Sequence, residues 1–123
     1  MKPIELGAEQ TRFADLVWAN EPIRSAALIK LCQAELHWKK STAYTVLRKL
    51  CEKGLFENRD GMILSRIGRD EFYSEKSRMI LAQSFSGSLP AFVAAFVSQN
   101  TLTHEEAEQI QKIIDTFKGG TIS

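Results

Sequence analysis

The chain has 123 residues, of which 25% are charged and 44% hydrophobic. That is globular composition, sized for one ordinary domain or a small domain with an extension, and it excludes a disordered or collagen-like chain. The formal net charge of +1 conceals a split: residues 1–66 hold eleven Lys/Arg against eight Asp/Glu, and the remainder holds five against seven.

Other exclusions follow from local runs. The longest uncharged apolar stretch, Leu89 to Val97, is far short of the roughly 20 residues a membrane helix needs. Met1-Lys2-Pro3-Ile4-Glu5 has no apolar h-region, so neither membrane insertion nor secretion is expected. Two cysteines, Cys32 and Cys51, are too few for a disulfide scaffold or a four-thiolate zinc site. A reducing, cytoplasmic setting is expected.

Leu6, Phe13, Leu16 and Val17 recur at helix spacing, and Asn20 with Pro22 stops that first helix. Trp18 reads as a core anchor. Ser25 reads as the N-cap of a short second helix through Cys32, and Gln33 to Lys40 as a polar link. The third helix is predicted from about Ser41 to Lys53, with Gly54 as its terminating residue. On a helical wheel Ala43, Val46, Leu47, Leu50 and Cys51 share an apolar sector. Ser41, Thr42, Thr45, Arg48, Lys49 and Glu52 lie opposite, with Tyr44 at the border.

After Gly54 the period changes. Two short β-capable runs, Leu55 to Arg59 and Met62 to Ser65, flank Asp60-Gly61, a strong hairpin signal because both central residues must take positive φ. Helix, short helix, helix and hairpin is the order of a winged helix.

The rear half reads as helix throughout. A first helix runs from Asp70 to Phe85 and breaks at Ser86-Gly87-Ser88. Leu89, Phe92, Val93, Phe96 and Val97 then form an apolar stripe, with Pro90 in the first turn. Thr103-His104-Glu105-Glu106 is a capping box. Ile110, Ile113, Ile114 and Phe117 face one side of the last helix, which Gly119-Gly120 ends. Leu89, Phe92, Val93, Phe96, Ile110, Ile113, Ile114 and Phe117 are too much apolar surface for one partner helix to cover. A second copy of the chain is the expected partner.

No catalytic or metal constellation is expected. His37 and His104 lie on different elements without zinc or triad spacing. No Gly-rich phosphate loop occurs, and no cofactor is expected. Cys32 and Cys51 read as small buried hydrophobes, a thiol switch at Cys51 being the alternative. The polar face of the third helix is different. Lys39, Lys40, Arg48, Lys49, Lys53 and Arg59 oppose only Glu52 and Glu57 between residues 39 and 59. A helix in a major groove needs short donors and acceptors near its start, which Ser41, Thr42 and Thr45 supply. It also needs cations for the flanking phosphates, which Lys39, Lys40, Arg48 and Lys49 supply. Tyr44 borders that face, and Arg59 near the wing tip is placed to reach a neighbouring phosphate. The expected partner is double-stranded DNA. The competing reading is a winged-helix protein-interaction module whose third helix is buried on another protein.

Four stretches in order carry a family resemblance. They are Ala8-Glu9 with Leu16-Val17-Trp18; Trp38 to Leu50; Lys53-Gly54-Leu55; and Phe85 to Ser88 with Ala91 to Val97, Leu102-Thr103 and Glu105-Glu106. The chain resembles the penicillinase and methicillin-resistance repressors. The resemblance implies a mostly α fold: a winged helix-turn-helix over residues 1–67 and a helical dimerisation region over 68–123. It implies a homodimeric repressor on a dyad operator, with Thr42, Thr45 and Lys49 at groove-facing positions. It further implies relief through a sensor and a cut in the dimerisation region at the bond matching Ala95-Phe96. Ala95 stands where the cut members carry Asn. The tail from Phe117 to Ser123 lacks the cysteine pairs of the copper-responsive branch.

Overall fold

A computed structural model describes residues 4–118. In order these form α1 (Ala8–Asn20), β1 (Ile23–Arg24), α2 (Ser25–Leu31), a π-helical turn (Cys32–Leu36), α3 (Lys40–Glu52), β2 (Phe56–Arg59), β3 (Met62–Ser65), α4 (Arg69–Ser84), α5 (Leu89–Val97) and α6 (His104–Phe117). The contacts group the chain into two compact units that divide between Met79 and Ile80.

In the first unit the core is shared by α1, α2, α3, the start of α4 and the sheet. Phe13, Ala14 and Val17 of α1, Leu28 and Ile29 of α2, and Ala43, Leu47 and Leu50 of α3 are buried together with Leu55, Phe56, Ile63 and Phe72. Trp18 is the expected anchor. Its ring meets Phe56, Phe72 and Tyr73, and its Nε1 donates to the Ile67 carbonyl at 3.1 Å. Burying such side chains is worth roughly 1.5–3 kcal/mol each.

Local rules set the element ends. α1 begins at Ala8, so Leu6 packs on the core from ahead of the helix rather than from within it. It stops where Pro22 drives Glu21 into extended backbone, φ −71° and ψ 149°. α3 ends in a Schellman motif. Gly54 takes φ +86°, its N–H donates to the Cys51 carbonyl, and the Leu55 N–H reaches back to Leu50. Leu50 and Leu55 are both buried, the apolar contact that accompanies this motif.

The hairpin forms as the Asp-Gly pair predicts, with φ +54° at Asp60 and +89° at Gly61. Register pairs Phe56 with Ser65, Glu57 with Leu64, Asn58 with Ile63 and Arg59 with Met62. The sheet has a third strand that the sequence reading lacked. β1 adds antiparallel to β3, giving the order β1-β3-β2.

Two expectations around α2 are corrected. Ser25 is the first helical residue, not the cap; Arg24 holds the cap position, without a side-chain cap bond. The supposed polar link carries a π-helical turn that buries Cys32 and ends on His37 at φ +57°. α3 starts one residue early, at Lys40.

The second unit holds the remainder of α4 with α5 and α6. Ser88 caps α5, accepting from the Ala91 N–H at 3.0 Å. The expected capping box of α6 is present: Glu106 N–H donates to Thr103 Oγ1, and Thr103 N–H to Glu106 Oε1. α6 ends at Phe117, and Gly119-Gly120 lie outside the described residues. No residue of α5 or α6 is buried. No single described helix is long and apolar enough to cross a membrane.

Candidate nucleic-acid interface

α3 is anchored at both ends. Trp38 lies two residues before its start, and Trp38 Nε1 donates to Glu9 Oε2 of α1 at 3.0 Å. The Trp38 ring stacks on Phe13 of the same helix. At the far end the Lys53 ammonium donates to the Glu5 carbonyl at 2.9 Å and to Gln10 Oε1 at 3.3 Å. Lys53, one of the six cations of the basic stretch, is therefore occupied in tethering the segment before α1.

Between these anchors α3 divides as its wheel predicts. Ala43, Leu47 and Leu50 are buried and Val46 and Cys51 half-buried, while Ser41, Thr42, Arg48, Lys49 and Glu52 are exposed. Lys39, Lys40 and Tyr44 are exposed too. Among the described residues Lys39, Lys40, Arg48 and Lys49 enter none of the ion pairs. Thr45 is half-buried, and its Oγ1 donates to the Ser41 carbonyl at 2.9 Å. With its one proton spent on the backbone, that hydroxyl offers lone pairs only, beside its methyl.

The wing is held as firmly. Asn58 Oδ1 accepts from the Gly61 N–H at 2.7 Å, and the Gly61 carbonyl accepts from the Ser25 N–H at 2.9 Å. At the hairpin's base Glu21 accepts from both the N–H and the hydroxyl of Ser65, each at 2.8 Å. Arg59 is exposed and pairs with Glu57 of its own strand at 3.3 Å. The anchoring roles of Trp38 and Glu21 were missed in the sequence. An aromatic beside a basic run and a Glu before Pro were the signals available.

The thiols sit away from this face. Cys32 is fully buried, which pushes its pKa from 9.0 up to about 11. The Cys51 thiol is also raised, by burial first and then by Glu52 and Glu57. Both shifts disfavour the reactive thiolate.

The residues expected at a dimer contact lie in the second unit. Leu89, Phe92, Val93, Phe96, Ile110, Ile113, Ile114 and Phe117 are 38–77% exposed. Phe92 meets Phe85 edge-on, with centroids 5.3 Å apart. Ala95 and Phe96 lie inside α5 and are exposed.

Three helices around one core, with a three-stranded wing and an outward polar helix face, define a winged-helix protein. The chain belongs to the penicillinase repressor family, whose family model matches residues 6–116. It is 24% identical to the penicillinase repressor of Bacillus licheniformis over 107 residues, 84% of each chain. It is 20% identical to the methicillin resistance regulatory protein MecI of Staphylococcus aureus over 118 residues, covering 93% of this chain and 96% of that one. MecI of Mammaliicoccus sciuri matches to the same extent. These relatives are repressors or regulators by name, a non-enzymatic role.

Proposed function

We propose that the protein is a transcriptional repressor that binds double-stranded DNA as a homodimer. Each protomer lays α3 in a major groove over one half of a dyad operator. Two protomers on one face of the duplex would engage grooves about 34–36 Å apart, or a multiple of that. Ser41, Thr42 and Thr45 face base edges, with Tyr44 at their border. Lys39, Lys40, Lys49 and Arg59 face phosphates, with Arg48 beside them on the polar face. Repression then requires occupancy and no chemistry.

One observation carries this reading. The polar face of α3 exposes cations that form no ion pair among the described residues, while its other face is locked into the core. Phosphates are the partner such a face fits, because cations that release counterions from DNA gain affinity from the solution itself. The exposed apolar faces of α5 and α6 support pairing with a second copy. Membership of the penicillinase repressor family supports target genes of the β-lactam-resistance type or related stress genes. It also supports relief through a sensor or protease outside this chain. A cut at Ala95-Phe96 falls within α5, so it requires that helix to open.

The test is protection mapping on the DNA upstream of the protein's own gene, with binding measured against salt. Two protected half-sites on one face are expected. Absence of duplex binding at low salt overturns the reading.

A further inference from the structure

Sheet register places a second arginine beside Arg59. Arg59 pairs with Met62 across β2 and β3, and Met62 pairs with Arg24 across β3 and β1. Directly opposed residues of an antiparallel sheet project from the same face. Phe56 and Ile63, which are buried, mark the core-facing side; Asn58 and Ile23 share it by alternation and register. Arg24, Met62 and Arg59 therefore form one row on the opposite, outer face. With strands about 4.8 Å apart, the two arginine Cα atoms stand about 10 Å from each other.

The row is held in place. The Ser25 N–H donates to the Gly61 carbonyl at 2.9 Å, fastening the residue after Arg24 to the wing turn. Arg24 is exposed and enters no ion pair among the described residues, whereas Arg59 shares its charge with Glu57. The other acids near the wing are Asp60 at its tip and Glu21, whose carboxylate is taken by Ser65. Arg24 is thus the less neutralised cation of the two.

We infer that Arg24 is a phosphate-binding residue of the wing, and that Arg24 and Arg59 together hold the DNA backbone as a fixed pair. The inference rests on the proposed DNA-binding function and adds a contact from β1, outside both α3 and the hairpin. Guanidinium suits the role through its fork of donors. A phosphate contact carries no base information, so Arg24 contributes affinity and register rather than sequence choice.

The experiment measures binding of the full-length protein to operator and to random duplex as salt is varied. Wild type, Arg24→Gln, Arg24→Lys and Arg59→Gln are compared, with thermal melts to confirm folding. Each lost phosphate contact flattens the slope of log K on log salt by about 0.9, or about 1.8 for two protomers. Arg24→Gln is expected to flatten it by that amount on both DNAs, and Arg24→Lys to restore most of it. A folded Arg24→Gln variant with the wild-type slope overturns the inference and leaves the DNA-binding reading intact. Loss of preference for the operator alone overturns it too, since that marks base recognition. Wild type that binds neither DNA overturns the function and the inference together.

Discussion

Trp38 lies flat against Phe13, with ring centroids 5.9 Å apart and planes 2° from parallel. At that separation the rings are offset, the favoured parallel geometry for aromatic pairs. The stack fixes where α3 leaves the π-helical turn, and the Nε1 bond to Glu9 fixes the indole's rotation. Trp38→Ala should cost about 3 kcal/mol, from lost packing and the void left behind. Trp38→Phe keeps a ring and loses the bond, and should cost about 1 kcal/mol. Urea unfolding reads both. An alanine variant as stable as wild type would mean that the stack does not anchor α3.

Lys49 and Thr45 separate affinity from specificity. Lys49→Ala should weaken binding to all duplexes and flatten the salt slope by about 2 per dimer. The wild-type slope itself should lie near −7 for the roughly eight phosphates that Lys39, Lys40, Lys49 and Arg59 of two protomers neutralise, and near −9 once Arg24 adds about one more from each. Thr45→Ala should relax base preference at one position in each half-site by about 1 kcal/mol. Because the Thr45 proton is spent on Ser41, Thr45→Ser, which loses only the methyl, should reproduce most of that loss if a thymine methyl is being read. Equal losses on operator and random DNA would remove Thr45 from the base contacts.

Phe96 and Ile114 are about half exposed in one chain, at 48% and 49%. Changing either to Asp should convert a dimer to a monomer by light scattering. It should also lose the gain from linking two half-sites, often 10²-fold or more, while single-site contacts stay intact. A variant that stays dimeric yet fails to repress would refute the link between these faces and function.

Alkali should weaken the fold through Cys32. Below its ordinary value of 9.0 the thiol is protonated in both folded and unfolded chains, and the contribution is complete. Between 9.0 and about 11 the unfolded chain releases a proton that the folded chain retains, so stability falls as pH rises. Urea midpoints at pH 8 and pH 10.5 should diverge less in Cys32→Ala than in wild type. At neutral pH both native thiols should resist alkylation, and rapid labelling of Cys51 would revive a thiol switch there.

The parts most legible in the sequence were those with strong local rules. Asp60-Gly61 demanded two positive φ angles, Gly54 a helix stop, and Thr103 with Glu106 a reciprocal cap. α3 was legible because its apolar sector and its hydroxyls and cations fall on opposite sides. β1 was not, since two residues have no periodicity; Ile23 and Arg24 become strand only by pairing with Ile63 and Met62. The same holds for the turn at Cys32–Leu36, where burial of Cys32 outweighs a polar composition. Lys53 looked like one more surface cation, and only the fold brings Glu5 and Gln10 to it. Exposure of the predicted contact residues was legible; what fastens them was not, because Trp38–Glu9 and Glu21–Ser65 are long-range bonds.

The packing of Trp18 and Trp38 in the first unit has an optical consequence. Both tryptophans, and Tyr44 and Tyr73 with them, precede Met79, whereas the second unit's aromatic rings are phenylalanines. Ultraviolet emission excited at the indole band therefore reports the first unit, the winged helix with the start of α4. Far-ultraviolet dichroism counts every helix. Recording both on one sample lets the two halves be followed separately, without a label.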